Sequence, residues 1–190
     1  GTAKSWLSEL IACGVSGQSR LTIQGGTISH YRQLIYDWNT SLLDKLGPCR
    51  EALIPGPLFI GMEQGKLVRF EELARCPQLV QDALLSILSE RQLQIPELQG
   101  EDGVLYAREG FNVIATSNSL DRGLFDMSAA LKRRLNFETI EPIDDIDAEM
   151  DIVLREATML ARQSGVDMAP DHSIVEMLVT IFHELRSGQT

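Results

Sequence analysis

Two adjacent carboxylates, Glu71 and Glu72, close a short β-prone run over Leu67–Phe70, and a helical pattern begins a few residues later. A strand that delivers acid groups at its C-terminal end, ahead of a helix, places them at the crevice where α/β proteins bind ligands. Such a pair suits two tasks in phosphoryl chemistry. One carboxylate holds the water shell of a divalent cation, and the other orients an attacking water. Taken alone, the pair is also what a solvated strand end looks like. Upstream, Gly1-Thr2-Ala3-Lys4-Ser5 runs directly into a helical pattern. Phosphate binding asks for backbone N–H groups aimed at an anion, a helix N-terminus, a lysine for the terminal phosphates and a hydroxyl for Mg²⁺. Lys4 and Ser5 supply the last two in the right order, with Ala3 where the commonest form of the motif has Gly. Taken alone, these five residues are also an ordinary Ser-Lys helix start. Asn118 ends the run FNVIATSN, and a neutral amide there can hydrogen-bond the attacking water or a γ-phosphate without adding charge. Arg133 and Arg134 end a helical pattern, either as cations complementing the helix dipole or as an arginine offered to a neighbouring subunit's γ-phosphate.

The elements that must position these groups follow from periodicity. Trp6, Leu7, Leu10 and Ile11 share one face of a helix over 4–12, with Gly14 as its cap. RLTIQ (20–24) alternates as a strand and breaks at Gly25-Gly26. Thr27 caps a helix from Ile28 to about Trp38, with Tyr31, Leu34, Ile35 and Trp38 as its stripe. A short helix over Leu42–Leu46 and a further helical turn over Phe59–Glu63 precede the acidic strand. Beyond it, Leu79, Val80, Ala83, Leu84, Ile87 and Leu88 recur at helical spacing. QLQIPEL and VLYAR flank a Gly- and Asp-rich turn, as in a β-hairpin whose Pro96 arm lies at an edge. FNVIA (111–115) reads as a buried strand, Asp126 as the cap of the helix ending in Arg133-Arg134, and NFETI (136–140) as a last strand. After Pro142 and the acidic run Asp144, Asp145 and Asp147 come two helices, Ala148–Gln163 and Asp171–Leu185, with no further strand. The chain therefore reads as an α/β part over 1–142 and an all-helical part over 143–190.

The 190 residues are 44% hydrophobic and carry a formal charge of −10, which suits a globular core and argues against a free-standing nucleic-acid binder. Cys13, Cys49 and Cys76 are far apart and form no CxxC pair, so neither a disulfide framework nor a zinc site is expected. With no apolar run near the ~20 residues of a bilayer span, the expectation is a cytoplasmic protein with no membrane partner. Both ends read as cut from something longer. His30, His172 and His183 are scattered and read as ordinary surface or helix residues, Cys76 as a small buried thiol, and Trp6 and Trp38 as core.

In their order these parts resemble the AAA+ ATPases, P-loop NTPases with a mostly parallel sheet flanked by helices, and within them the MoxR-type branch. GTAKS resembles the second half of their Walker A motif, and LVRFEEL their Walker B strand. NVIATSN is similar to the sensor 1 strand and MSAALKRRLNF to the arginine-finger helix. Residues 92–108 resemble the hairpin before sensor 1, and residues after 142 the start of a helical lid. The resemblance implies nucleotide binding by Gly1, Thr2, Ala3, Lys4 and Ser5, and a metal side formed by Ser5 and Glu71. It implies catalytic roles for Glu72 as the water-activating base, Asn118 as sensor, and Arg134 and then Arg133 as finger. ATP and Mg²⁺ are the implied cofactors. A homo-oligomeric ring, a hexamer, and a protein client containing a von Willebrand factor A domain are the implied partners. The chain departs from the family at Glu71, where Asp is usual, and at Arg69, whose charge on an apolar central strand must reach an edge or pair with an acid. It also offers no identifiable sensor 2 arginine. The implied function is a chaperone-like ATPase that assembles or activates a partner complex. A nucleotide-gated scaffold with little hydrolysis and a DNA-directed motor are the alternatives. The acidic hairpin, with Glu97, Glu101, Asp102 and Glu109, is a poor tracker of phosphates.

Overall fold

Three short parallel strands form the sheet on which the acidic residues sit: β1 (Thr22–Gln24), β4 (Leu67–Glu71) and β7 (Asn112–Ala115), in the order β1-β4-β7. The computed structural model describes residues 3–118, 127–165 and 169–187, and these divide into two compact units, Ala3–Glu138 and the residues from Thr139 onward. Central β4 is buried along its whole length. Its side chains alternate between the two faces of the sheet. Val68 and Phe70 point into the hydrophobic core, while Arg69 and Glu71 meet α1 (Lys4–Ser16) on the other face. Gly61, in α3 (Pro57–Gln64), lets that helix press onto the apolar face, since a Cβ there would lie 2.3 Å from Val68 Cγ2.

The helix α1 lies on β4 through small residues rather than through its apolar stripe. Ser8, Ala12 and Ser16, spaced by four, are its buried positions. The Ser16 hydroxyl accepts the Leu67 N–H at 2.7 Å, and Lys66 Nζ donates to the Ser16 carbonyl at 2.9 Å. The expected face of Trp6, Leu7, Leu10 and Ile11 is exposed instead, with Trp6 62% accessible, so Trp6 is not a core residue. The physical reason is close approach: serines that hydrogen-bond the strand beneath take the inner positions. The cap is Gly17 in the left-handed region, not Gly14.

Residues 28–38 form no α-helix. A 3₁₀ turn over Tyr31–Gln33 leads into β2 (Tyr36–Trp38), which pairs antiparallel with β3 (Leu53–Pro55), and a short α2 (Thr40–Leu46) lies between them. Leu34, Ile35 and Tyr36 are consecutive buried residues, a run rather than a helical stripe. Leu58 N–H and Gly56 N–H donate to the Leu34 and Ile35 carbonyls, so this segment's hydrogen bonds go to a distant partner. Trp38 is half-buried and meets the Tyr36 ring edge-on at 5.9 Å.

The helix α4 (Gln78–Glu90) buries Val80, Leu84 and Ile87 and leaves Leu79 exposed. The hairpin forms as β5 (Gln92–Gln94) and β6 (Val104–Tyr106). β7 is the FNVIA strand, but only half-buried, because among the described residues its sole strand neighbour is β4. Asp126 lies outside the described residues; Ser128 caps the short α5 (Ala129–Lys132), its hydroxyl accepting the Leu131 N–H. NFETI is not a strand: residues 136–140 have no strand partner among the described residues, and Phe137 is exposed.

The second unit is the helix pair α6 (Ile146–Gln163) and α7 (His172–Ser187). Asp145 caps α6 by accepting from the N–H groups of Asp147 and Ala148. Val175 and Val179 are the buried residues of α7, and Arg186 pairs with Glu149. Among the described residues no helix is long and apolar enough to cross a membrane.

Candidate active site

Glu71 sits at the C-terminal end of the central strand with only 3% of its surface accessible, and both oxygens of its carboxylate are hydrogen-bonded. Oε2 accepts from the Ser5 hydroxyl at 2.7 Å and the Thr116 hydroxyl at 2.6 Å. Oε1 accepts from the Ser8 hydroxyl at 2.7 Å and from Arg69 Nη2 at 2.9 Å. Ser8 also lies 2.7 Å from the Ser5 carbonyl, so its single proton serves either acceptor. Burial by itself pushes the Glu71 carboxyl up. Hydrogen bonds from Thr116, Ser8, Ser5 and Arg69 outweigh that and hold it below the ordinary carboxylate range. Glu71 is therefore an anion locked in place. Arg69, 8% accessible, pairs with a nearby acid as required of a charge on this strand. Besides Glu71 it meets Glu9 at 3.6 Å, the Ser8 hydroxyl at 3.1 Å and the Ser5 carbonyl at 3.0 Å.

Glu72 is the first residue past the strand, and the chain reverses there. Its φ of 55° and ψ of 47° lie in the left-handed region, which costs a non-glycine residue on the order of 1 kcal/mol. Three contacts hold it so. The Glu72 N–H donates to Thr116 Oγ1 at 3.2 Å, the Leu73 N–H donates to the Thr116 carbonyl at 3.0 Å, and Gly25 packs beneath the turn. A Cβ on Gly25 would lie 2.3 Å from the Glu72 carbonyl oxygen. The Glu72 side chain is 47% accessible and pairs with Arg75 at 3.3 Å. A half-exposed carboxylate on a fixed backbone, beside a buried one, is an arrangement that can polarise a water at the mouth of the site.

Of the expected nucleotide-binding residues, Gly1 and Thr2 lie outside the described residues. Ala3 precedes α1 with a φ of 52°, the left-handed conformation that explains why glycine is the commoner residue there. Lys4 and Ser5 form the first turn of α1, Lys4 half-buried and Ser5 facing Glu71. Asn118 lies exposed two residues beyond Thr116, so the strand end that carries it also grips both acids. Arg133 and Arg134 are exposed at the end of α5. The Arg134 guanidinium donates to the Ser89 hydroxyl and to the Ala130 carbonyl. Ser89 lies toward the far end of α4 from the Glu72 turn, roughly 16 Å along the helix axis.

The oxygen donors of Ser5 and Glu71 suit a hard cation. Among the described residues no three His, Cys, Asp or Glu side chains gather as a metal cage. One hydroxyl and one carboxylate, with water and phosphate completing the shell, is how Mg²⁺ is usually held, so the residues fit it. Cys76 is buried, and burial pushes its thiol up to about 11, which keeps it protonated and inert.

Ser8, Thr116 and Gly25 were not expected in the site, and each carried a signal. Ser8 is one turn beyond Ser5 on the same helix face, and Thr116 ends its strand as Glu71 ends the next. Gly25 follows β1 at the corresponding strand end, since Gln24 pairs with Glu71.

The family model described as "AAA domain (dynein-related subfamily)" matches residues 1–135. The chain belongs to this family of AAA ATPases. That agrees with the AAA+, MoxR-type resemblance of its motifs and with the parallel sheet flanked by helices. The chain is 51% identical over 188 residues to "Uncharacterized protein YehL" of Escherichia coli (strain K12), covering 99% of this chain and 52% of that protein. It is 28% identical over 138 residues to "Gas vesicle ATPase GvpN1" of Halobacterium salinarum, covering 72% of this chain and 37% of that protein. It thus spans about half the length of the first relative and less of the second. The crystal structure of NtrX from Brucella abortus in complex with ADP shares the fold. The TM-score is 0.59 and the identity 17%, over 93% of this chain and 39% of that one.

Proposed function

We propose that the protein binds and hydrolyses ATP with Mg²⁺ and uses the cycle to remodel, assemble or activate a partner protein complex. Residues 1–142 would form the nucleotide-binding core and 143–190 the start of a helical lid. The observation that carries this reading is the contact of the Ser5 hydroxyl with the Glu71 carboxylate at 2.7 Å, with Glu72 next in the chain at the strand end. The α1 N-terminus and Lys4 would hold the phosphates, Ser5 and Glu71 would hold Mg²⁺, and Glu72 would take the proton of an attacking water whose position Asn118 reports. Mg²⁺, when bound, neutralises charge on the β- and γ-phosphate oxygens. Arg134, engaged by Ser89 at the far end of α4, suits a role in a neighbouring subunit's site, with Arg133 second. A homo-oligomeric ring, a hexamer, follows from the MoxR-type resemblance and would bring that arginine to the neighbour's site. Relatives named gas vesicle ATPases and a fold neighbour crystallised with ADP support the nucleotide. A client with a von Willebrand factor A domain and a cytoplasmic setting follow from the MoxR-type resemblance.

A second reading, a nucleotide-gated scaffold with little hydrolysis, is favoured by one feature. Both acids are already engaged, Glu71 by Arg69 and Glu72 by Arg75. Steady-state ATP turnover by the whole protein, beside Lys4→Ala and Arg134→Ala, separates the two. Turnover in the parent that is lost in both variants, and partly restored when they are mixed, supports the ring ATPase with a finger in trans. Tight ATP binding without turnover supports the scaffold. A protein that neither binds nor hydrolyses ATP sinks both.

A further inference from the structure

The acid that faces Ser5 has a cation permanently beside it. Arg69 projects from the same strand face as Glu71, two residues earlier, and is nearly as buried. Its guanidinium spans the floor of the first turn of α1: Nη2 donates to Glu71 Oε1 and to the Ser5 carbonyl, Nε donates to Ser8, and Nη1 faces Glu9. The side chain is thus held through all three guanidinium nitrogens, with one charge-assisted hydrogen bond to the Glu71 carboxylate. The buried pair of Arg69 and Glu71 is balanced in charge, and the second acid that Arg69 faces, Glu9, is half-exposed and screened by water. With a lone acid at that place, an approaching triphosphate would meet a buried anion, and a divalent cation would be needed to bridge them.

We propose that Arg69 is a positioning residue that supplies a resident countercharge to Glu71, so that the site holds a nucleoside triphosphate with little dependence on a divalent cation. This inference rests on the nucleotide-binding reading above. Cation dependence then belongs to hydrolysis rather than to binding. Arg69 does not touch the nucleotide; it acts through Glu71 and the Ser5 turn.

The test is equilibrium ATP binding by the whole protein, by calorimetry, in excess MgCl₂ and in EDTA. The quantity read is the ratio of the two Kd values, which a merely structural arginine would not set. For the parent the ratio is expected within about tenfold. In Arg69→Met, uncovering one unit charge near the phosphates raises it by at least about tenfold more, with the loss confined to the EDTA arm. In Arg69→Met with Glu71→Gln both charges are gone, and the Kd in EDTA, where the metal-holding role of Glu71 plays no part, returns to within about threefold of the parent's. Circular dichroism checks folding, and should the single variant not fold, the parent and the double variant decide. An Arg69→Met ratio equal to the parent's overturns the inference, as does a parent that binds ATP only with Mg²⁺. A parent that binds in neither condition overturns the nucleotide reading itself.

Discussion

Replacing Thr116 with Val keeps the side-chain shape and deletes one oxygen that holds both acids. That oxygen donates to Glu71 Oε2 at 2.6 Å and accepts the Glu72 N–H at 3.2 Å. A hydrogen bond to a buried carboxylate contributes about 1.5–3 kcal/mol, and one to a backbone N–H that water can reach contributes about 0.5–1 kcal/mol. Valine fills the same volume, so no cavity cost adds to this. The expected loss is about 2–4 kcal/mol, a fall in Tm of roughly 4–16 °C at about 2–4 °C per kcal/mol for a chain of this size. Urea unfolding followed by tryptophan fluorescence reads it, since Trp6 and Trp38 both lie in the Ala3–Glu138 unit. Thr116→Ser should recover most of the loss. A Thr116→Val protein within about 0.5 kcal/mol of the parent would refute the idea that this hydroxyl ties the strand ends together.

Other outcomes follow from the same geometry. Gly25→Ala puts a Cβ 2.3 Å from the Glu72 carbonyl, and backbone on both sides must shift, so a loss of about 2 kcal/mol or more in urea unfolding is expected. Glu71 has a folded pKa below its ordinary value of 4.5, so its contribution is present above that value and is lost as pH falls through the folded pKa. Stability of the parent should therefore drop on acidification below about pH 4.5 more steeply than that of Glu71→Gln, by unfolding measured across that range. With a thiol reagent at neutral pH, exposed Cys13 should react first, and buried Cys76 only on unfolding.

The parallel core was legible because its strands end in chemistry and its helices carry strong periodicity. Glu71, Glu72 and the α4 pattern are contiguous in sequence, so their arrangement needed only local rules. What misled was pairing at a distance. The 28–38 stretch scans as a helical stripe, but its consecutive residues Leu34, Ile35 and Tyr36 find partners in residues 53–58, which no local pattern announces. The face that α1 buries departs from its apolar pattern for a related reason. Apolar residues normally turn inward, but here Ser8 and Ser16 do, because β4 offers them a carboxylate and a backbone N–H. The departure at Arg69 was visible as a charge needing an acid, and the period of a strand already placed Glu71 on its face.

The central claim is that Glu72 activates the attacking water in a site built by Lys4, Ser5 and Glu71. Single-turnover release of γ-phosphate from radiolabelled ATP, by Glu72→Gln beside the parent and with ATP affinity measured in parallel, tests it directly. The account predicts that Glu72→Gln binds ATP within about threefold of the parent and releases phosphate at least about 100-fold more slowly, the range for loss of a general base. Equal release rates in the two proteins would contradict it.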